Sequence, residues 1–205
     1  MTDNPRSKGR SGPGRRKPLD GVMLTPGAGS GREHHTLVAI ENALAPLPVE
    51  RVDFPYRRAG RRAPDRQPVL LQCVRDEVAA FAQAHALKPR NIVLGGRSMG
   101  GRMCSIAVAE GTPAAGLVLI SYPLHPPGKP EKLRTEHFPA LEVPCLFVSG
   151  DRDAFGTPDE LEAATRAITG RVTHVWIERG SHALDRVDDQ IVEAVRAWRA
   201  ATFTG

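Results

Sequence analysis

Residues 91–102 read NIVLGGRSMGGR. The opening NIVL is an apolar, β-branched run of the kind that fills a fully buried strand. The stretch that follows, residues 99–110, has the spacing of an amphipathic helix. Between them, Gly96, Ser98 and Gly100 match G-x-S-x-G, the spacing of a nucleophile elbow, in which a serine occupies a strained strand-to-helix turn. The turn pushes the hydroxyl out above the sheet. The residues two positions to either side must be tiny, because strand and helix nearly touch there. A glycine-rich turn can also pack a helix closely, or hold a phosphate at the helix N-terminus. The phosphate loop G-x-x-x-x-G-K-[ST] is absent, however, and the serine sits between a buried strand and a helix. Ser98 is therefore read as a nucleophile, with Arg97 beside it as a candidate pocket-lining residue.

The same alternation continues in both directions. Residues 21–25, 49–54, 115–121, 143–149 and 172–177 read as further strands, and 33–47, 69–86, 158–168 and 185–201 as helices. The strands are short, rich in Val, Ile and Leu, and lack a polar alternation, which suits a parallel sheet covered on both faces. Strand–helix alternation predicts a doubly wound α/β domain of about six mostly parallel strands with helices on both faces.

Composition sets the frame. A chain of 205 residues, 40% of them apolar, suffices for one domain with a sizeable core. The formal charge of +5 draws on Arg6, Lys8, Arg10, Arg15, Arg16 and Lys17 in a Pro/Gly/Ser-rich opening. That opening cannot bury enough apolar surface to fold, so residues 1–18 are expected to be a disordered basic tail and 19–205 the domain. The balanced remainder argues against a nucleic-acid partner. No apolar run reaches the roughly 18 residues that span a bilayer, and no apolar segment follows the basic start as in a signal peptide. A cytoplasmic location with no membrane partner is the expectation. Cys73, Cys104 and Cys145 are odd in number, widely spaced and set among apolar residues, and read as buried thiols. Oligomeric state is left open.

A serine nucleophile needs a general base, and the base needs a group to hold its tautomer. In this kind of sheet ligands gather beyond the carboxyl ends of the strands, and the order runs Ser, then Asp or Glu, then His. The strand at 143–149 runs into Gly150-Asp151-Arg152-Asp153, and the last strand into Glu178-Arg179-Gly180-Ser181-His182. His182 has the required order and edge. His34, His35 and His85 precede the serine and read as helix-surface or turn residues. His174 lies inside a strand, facing a helix layer, and His137 lies in a loop. His125, after the strand ending at Ser121, is the competitor and a candidate pocket-lining residue. Asp153 is preferred over Asp151 as the acid because it extends further into the loop, whereas Asp151 is placed to pair with Arg152 or cap the turn. Asp159 suits the first turn of its helix.

The tetrahedral intermediate also needs preorganised N–H donors. The backbone N–H of Met99 is one, and that of Ala28, between Gly27 and Gly29 in the loop after the first strand, is the other. Taken alone this loop would also suit a dinucleotide turn, with Glu50 or Asp53 as the acidic residue some 20 positions on. Such a site has no use for the Ser, Asp and His that follow.

With these residues in place, the chain resembles the small α/β-hydrolases allied to dienelactone hydrolases. Within them it resembles the group sharing a hydrolase-like domain with subunit three of the NSL complex. The resemblance rests on TPGAGSG at 25–31, DFPYRRAGRRAP at 53–64, GGRSMGGR at 95–102, SYPLHPPGKPEKLR at 121–134, SGDRDAFGTPDEL at 149–161 and GSHAL at 180–184. It implies an α/β-hydrolase fold, a Ser98/Asp153/His182 triad, an oxyanion loop at 27–29, and no metal or cofactor. Pro26 stands where many relatives carry His. Ser98 replaces the cysteine of dienelactone hydrolases, which argues against their substrate. Relatives that act as scaffolds keep a catalytically silent, protein-binding reading open. The segment 123–142 is too short for a cap domain, so an open cleft for a small ester or thioester is expected. Arg57, Arg58, Arg61 and Arg62 read as a solvated loop rather than an anion trap.

Overall fold

The computed structural model describes residues 17–204. Most of the expected tail, residues 1–16, lies outside the described residues. Its last two residues are ordered: β1 (Lys17–Pro18) pairs in parallel with β8 (Phe203–Thr204) at the other end of the chain.

The apolar runs form the main sheet, made of β2 (Gly21–Thr25), β3 (Val49–Arg51), β4 (Ile92–Arg97), β5 (Gly116–Ile120), β6 (Cys145–Gly150) and β7 (Val172–Ile177). They lie in the order β3-β2-β4-β5-β6-β7, every neighbouring pair parallel. The six expected strands are thus all present. Side chains alternate between two cores, as strand geometry requires. Val22, Leu24, Val93, Val118, Ile120, Leu146 and Val148 pack on one face with helices α1 (His35–Leu44) and α6 (Asp188–Thr202). Met23, Leu94, Leu117, Leu119 and Phe147 pack on the other, with the short helix α2 (Pro55–Arg58), α3 (Gln67–Ala84), α4 (Met99–Ala109) and α5 (Pro158–Thr165). Burial on both faces explains why no strand shows a polar alternation.

Where element bounds depart from the sequence reading, local chemistry explains most of the shift. β4 does not stop at Leu94 but continues through Gly95 and Gly96, which pair with Val118 and Leu119. A side chain at Gly95 would lie 2.3 Å from the Val118 carbonyl, so the glycines are what allow this approach. The second strand ends at Arg51 instead of Phe54, and the expected loop opens with α2, which starts on Pro55 and buries Tyr56. α3 begins two residues early, with Pro68 in its first turn, where a missing N–H costs nothing. α5 opens on a capping box between Thr157 and Glu160, with Asp159 also in the first turn. Between β5 and β6 the segment 123–142 contains only a single 3-10 turn, Phe138–Ala140. It holds no cap domain.

The chain leaves β2 toward one edge and later returns through β4 to build out the other. The strand order therefore reverses between β2 and β4, the crevice where open α/β sheets place ligands.

Candidate active site

Ser98 sits at that crevice, at the junction of β4 and α4. Its backbone is left-handed, with φ 50° and ψ −118°, a conformation that costs an L-residue about 1–3 kcal/mol and persists only when its surroundings impose it. Ser98 N–H donates to the Ile120 carbonyl at 2.8 Å, and Arg102 N–H closes the first helical turn on the Ser98 carbonyl at 3.1 Å. The flanking glycines are sterically required. A side chain at Gly96 would come within 2.2 Å of the Thr25 carbonyl, and one at Gly100 within 2.5 Å of the Pro26 carbonyl.

Ser98 Oγ lies 2.8 Å from His182 Nε2, and His182 Nδ1 lies 2.8 Å from Asp153 Oδ2. Asp153 is 4% exposed, and its other oxygen accepts the Phe155 N–H at 2.8 Å. With both oxygens occupied as acceptors, the carboxylate favours the tautomer carrying a proton on Nδ1, which leaves Nε2 free to accept from Ser98. The loops that carry these two residues touch at glycine. A side chain at Gly150 would lie 2.1 Å from the Gly180 carbonyl, so only a bare backbone lets the acid and base loops meet.

The His182 ring is held from two further directions. Phe155 stacks on it with centroids 4.0 Å apart. Arg97, expected as pocket lining, turns its guanidinium to the base loop and donates to the backbone carbonyls of His182, at 3.0 Å, and of Ala183. Burial lowers the pKa of that guanidinium from its ordinary value. The role of Phe155 has no signal in the sequence beyond an aromatic two residues after the acid.

The loop after β2 lies against Ser98. A Cβ on Gly27 would be 3.6 Å from Ser98 Cβ. The Gly27 carbonyl accepts from Ser30 N–H at 3.2 Å, and in a trans peptide this turns Ala28 N–H to the opposite side. The next carbonyl, that of Ala28, accepts from the buried Tyr56 hydroxyl at 2.9 Å. Asp53, weighed above as a nucleotide ligand, instead accepts the Arg32 N–H at 2.7 Å and ties the segment after β3 to the end of this loop. Glu50 lies in the edge strand β3. Met99 is the first residue of α4, so its N–H has no intrahelical acceptor.

The other histidines are accounted for locally. His125 is 5% exposed; its backbone N–H donates to the Phe155 carbonyl at 3.0 Å, and its ring contacts the Pro126 carbonyl and Glu160. It supports the acid loop and makes no contact with Ser98. His34 caps α1, accepting from Thr36 N–H, and burial first and the nearby Arg97 charge second push its imidazole down to about 4. His35 pairs with Asp188 at 2.6 Å, His174 bonds Thr165, and His85 packs edge-on against Phe81. Asp151 Oδ1 is buried without a hydrogen-bond partner and does not reach His182. Arg58 and Arg61 are committed to ion pairs with Glu77 and Asp65. Burial pushes the Cys73 thiol up to about 11 and those of Cys104 and Cys145 to about 12. Among the described residues no group of three His, Cys, Asp or Glu is placed to hold a metal ion. Among the described residues no helix is long and apolar enough to cross a membrane.

This sheet order, with a left-handed serine at its switch point, defines an α/β-hydrolase. Residues 19–202 match the model of a family described as an alpha/beta hydrolase domain, and the chain belongs to that family of hydrolases. Solved structures with the same fold include Est1E from Butyrivibrio proteoclasticus, 17% identical, covering 91% of this chain and 88% of that one with a TM-score of 0.73. A dienelactone hydrolase from Anabaena variabilis is 17% identical over 92% and 90% of the two chains, with a TM-score of 0.69. A serine hydrolase without a lid from Xanthomonas campestris is 18% identical over 91% and 86%, with a TM-score of 0.66.

Proposed function

We propose that this hydrolase is a serine acyl hydrolase that cleaves small or exposed esters and thioesters through an acyl-enzyme. The observation that carries the reading is the unbroken relay from Ser98 to His182 to Asp153, each contact 2.8 Å long, built on an elbow serine at φ 50°. His182 Nε2 takes the proton as Ser98 Oγ attacks the acyl carbon. The oxyanion that forms accepts N–H donors from Ala28 and Met99, each such donor typically worth about 10²–10³ in rate. Collapse expels the alcohol or thiol, protonated by His182. Water then enters by the same route in reverse and frees the acid. Asp153 holds the tautomer throughout and stabilises the imidazolium. The absence of a cap between β5 and β6 supports access by short or protruding acyl groups, as does the likeness to a serine hydrolase without a lid. The nearer kinship to the NSL-type group rests on the sequence motifs, and a scaffold use of the fold would leave Ser98 unreactive.

A fluorophosphonate probe tests this reading. The wild type labels at Ser98, and Ser98→Ala and His182→Ala do not. A folded wild type that stays unlabelled overturns it.

A further inference from the structure

One helical turn beyond Ser98, α4 carries Arg102, whose side chain is partly buried and points toward the start of α3. Its Nη2 donates to Gln67 Oε1 at 3.4 Å, while its Nε is buried with no hydrogen-bond acceptor among the described residues. A second arginine approaches from the segment after β5. Arg134 donates from Nη1 to the Pro123 carbonyl at 3.3 Å, and its backbone is pinned by Arg134 N–H to the Leu124 carbonyl and by the Tyr122 hydroxyl to the Arg134 carbonyl. Hydrogen bonds also tie α4 to the segment that carries Arg134. Ser105 Oγ donates to the Arg102 carbonyl at 2.9 Å and lies 2.8 Å from His137 Nε2, in the same pocket of α4 that packs Tyr122.

The charges here are unbalanced. Among the described residues neither Arg102 nor Arg134 has a carboxylate within ion-pair distance, in contrast to Arg58 and Arg61. Burial and the Arg102 charge both lower the pKa of the Arg134 guanidinium. Burial and Arg102 also push His137 down to about 4, so it stays neutral and offers the arginines no negative charge. Tyr122 is buried and held neutral. Glu136, the carboxylate whose charge reaches Tyr122 and His137, is exposed and pairs with neither arginine. Two half-buried guanidinium groups without a carboxylate partner, close enough for the charge of one to bear on the other and one with an unused N–H, leave a demand that an oxyanion satisfies.

We infer that Arg102 and Arg134 form a specificity subsite beside Ser98 that binds a carboxylate or phosphate group on the substrate. The inference rests on the acyl-hydrolase reading, and it directs that reading toward anionic esters. The two guanidinium forks suit a planar carboxylate or a tetrahedral phosphate, and the test separates these.

The experiment compares 4-nitrophenyl hemiglutarate, 4-nitrophenyl 3-phosphonopropionate and the neutral 4-nitrophenyl valerate. The wild type prefers at least one anionic ester in kcat/KM. Arg102→Gln and Arg134→Gln each lower the anionic-to-neutral ratio about tenfold or more, the scale of a lost charged hydrogen bond. Arg134→Lys, which keeps the charge without the fork, falls between. The preferred anion identifies the source. In parallel, calorimetry measures glutarate and phosphonopropionate binding to folded Ser98→Ala, with and without Arg102→Gln, which reads the subsite independently of turnover. A ratio unmoved by both substitutions, or anion binding that survives Arg102→Gln, overturns the subsite. Failure of the wild type to take any ester or fluorophosphonate, with anion binding intact, overturns the hydrolase reading alone.

Discussion

Replacing Asp153 with asparagine changes one oxygen to nitrogen at a site where both oxygens are used. Oδ1 accepts the Phe155 N–H and Oδ2 faces His182 Nδ1, each at 2.8 Å, in a residue only 4% exposed. Asparagine has a single acceptor oxygen and two N–H donors. If that oxygen turned to His182, the amide would meet the Phe155 N–H donor to donor, leaving buried donors unsatisfied at a cost of about 1–3 kcal/mol. The amide therefore keeps its oxygen on Phe155 and donates to Nδ1, which moves the imidazole proton to Nε2. An Nε2–H cannot accept the Ser98 proton. A wrong tautomer of this kind lowers kcat by about 10⁴ in serine triads, or about 5 kcal/mol at about 1.36 kcal/mol per tenfold. The assay is the second-order rate of fluorophosphonate labelling by intact mass, with thermal unfolding as a control for folding. Asp153→Asn labels at least about 10³-fold more slowly, and Asp151→Asn stays within tenfold of the wild type, because Asp151 does not contact the histidine. Labelling of folded Asp153→Asn within tenfold of the wild type refutes the tautomer argument, and so does an equal loss from Asp151→Asn.

Three further outcomes follow from the same geometry. Arg97→Met releases the carbonyls of His182 and Ala183, and labelling slows by about 10–100-fold as the base drifts from Ser98; an unchanged rate means the clamp is idle. Gly150→Ala forces a Cβ into the Gly180 carbonyl, so the urea midpoint drops by the equivalent of about 1–3 kcal/mol or more and labelling falls with it. His34 and His137 are both held near 4 by burial, below an ordinary value of 6.5. The unfolded chain thus takes up their protons first, so the stability they contribute is complete above 6.5 and is lost as pH falls toward 4. Urea melts at several pH values between 7 and 4 should show that slope, and His137→Gln should flatten it.

The sequence by itself determined the fold class, since apolar runs without polar alternation, separated by amphipathic stretches, leave a parallel sheet covered on both faces as the consistent solution. It also named Ser98, Asp153 and His182, because each follows a strand and all carboxyl ends of parallel strands share one edge. These readings work because the strand and helix periods are local properties of the chain. Element ends were less legible. Gly95 and Gly96 read as the start of a turn, yet they extend β4, because they pair with Val118 and Leu119 of β5, with the Val118 carbonyl 2.3 Å from where a side chain on Gly95 would begin. The supporting contacts were not legible at all. Phe155 on His182, Tyr56 on the Ala28 carbonyl and Arg97 on the His182 carbonyl join residues 27, 28 and 85 positions apart, and no local pattern encodes such distances. The sequence preferred Asp153 over Asp151 from its place further along the loop, but only the tertiary structure sets its Oδ2 2.8 Å from His182 Nδ1, because the meeting of two loops 29 residues apart is not a local property of the chain.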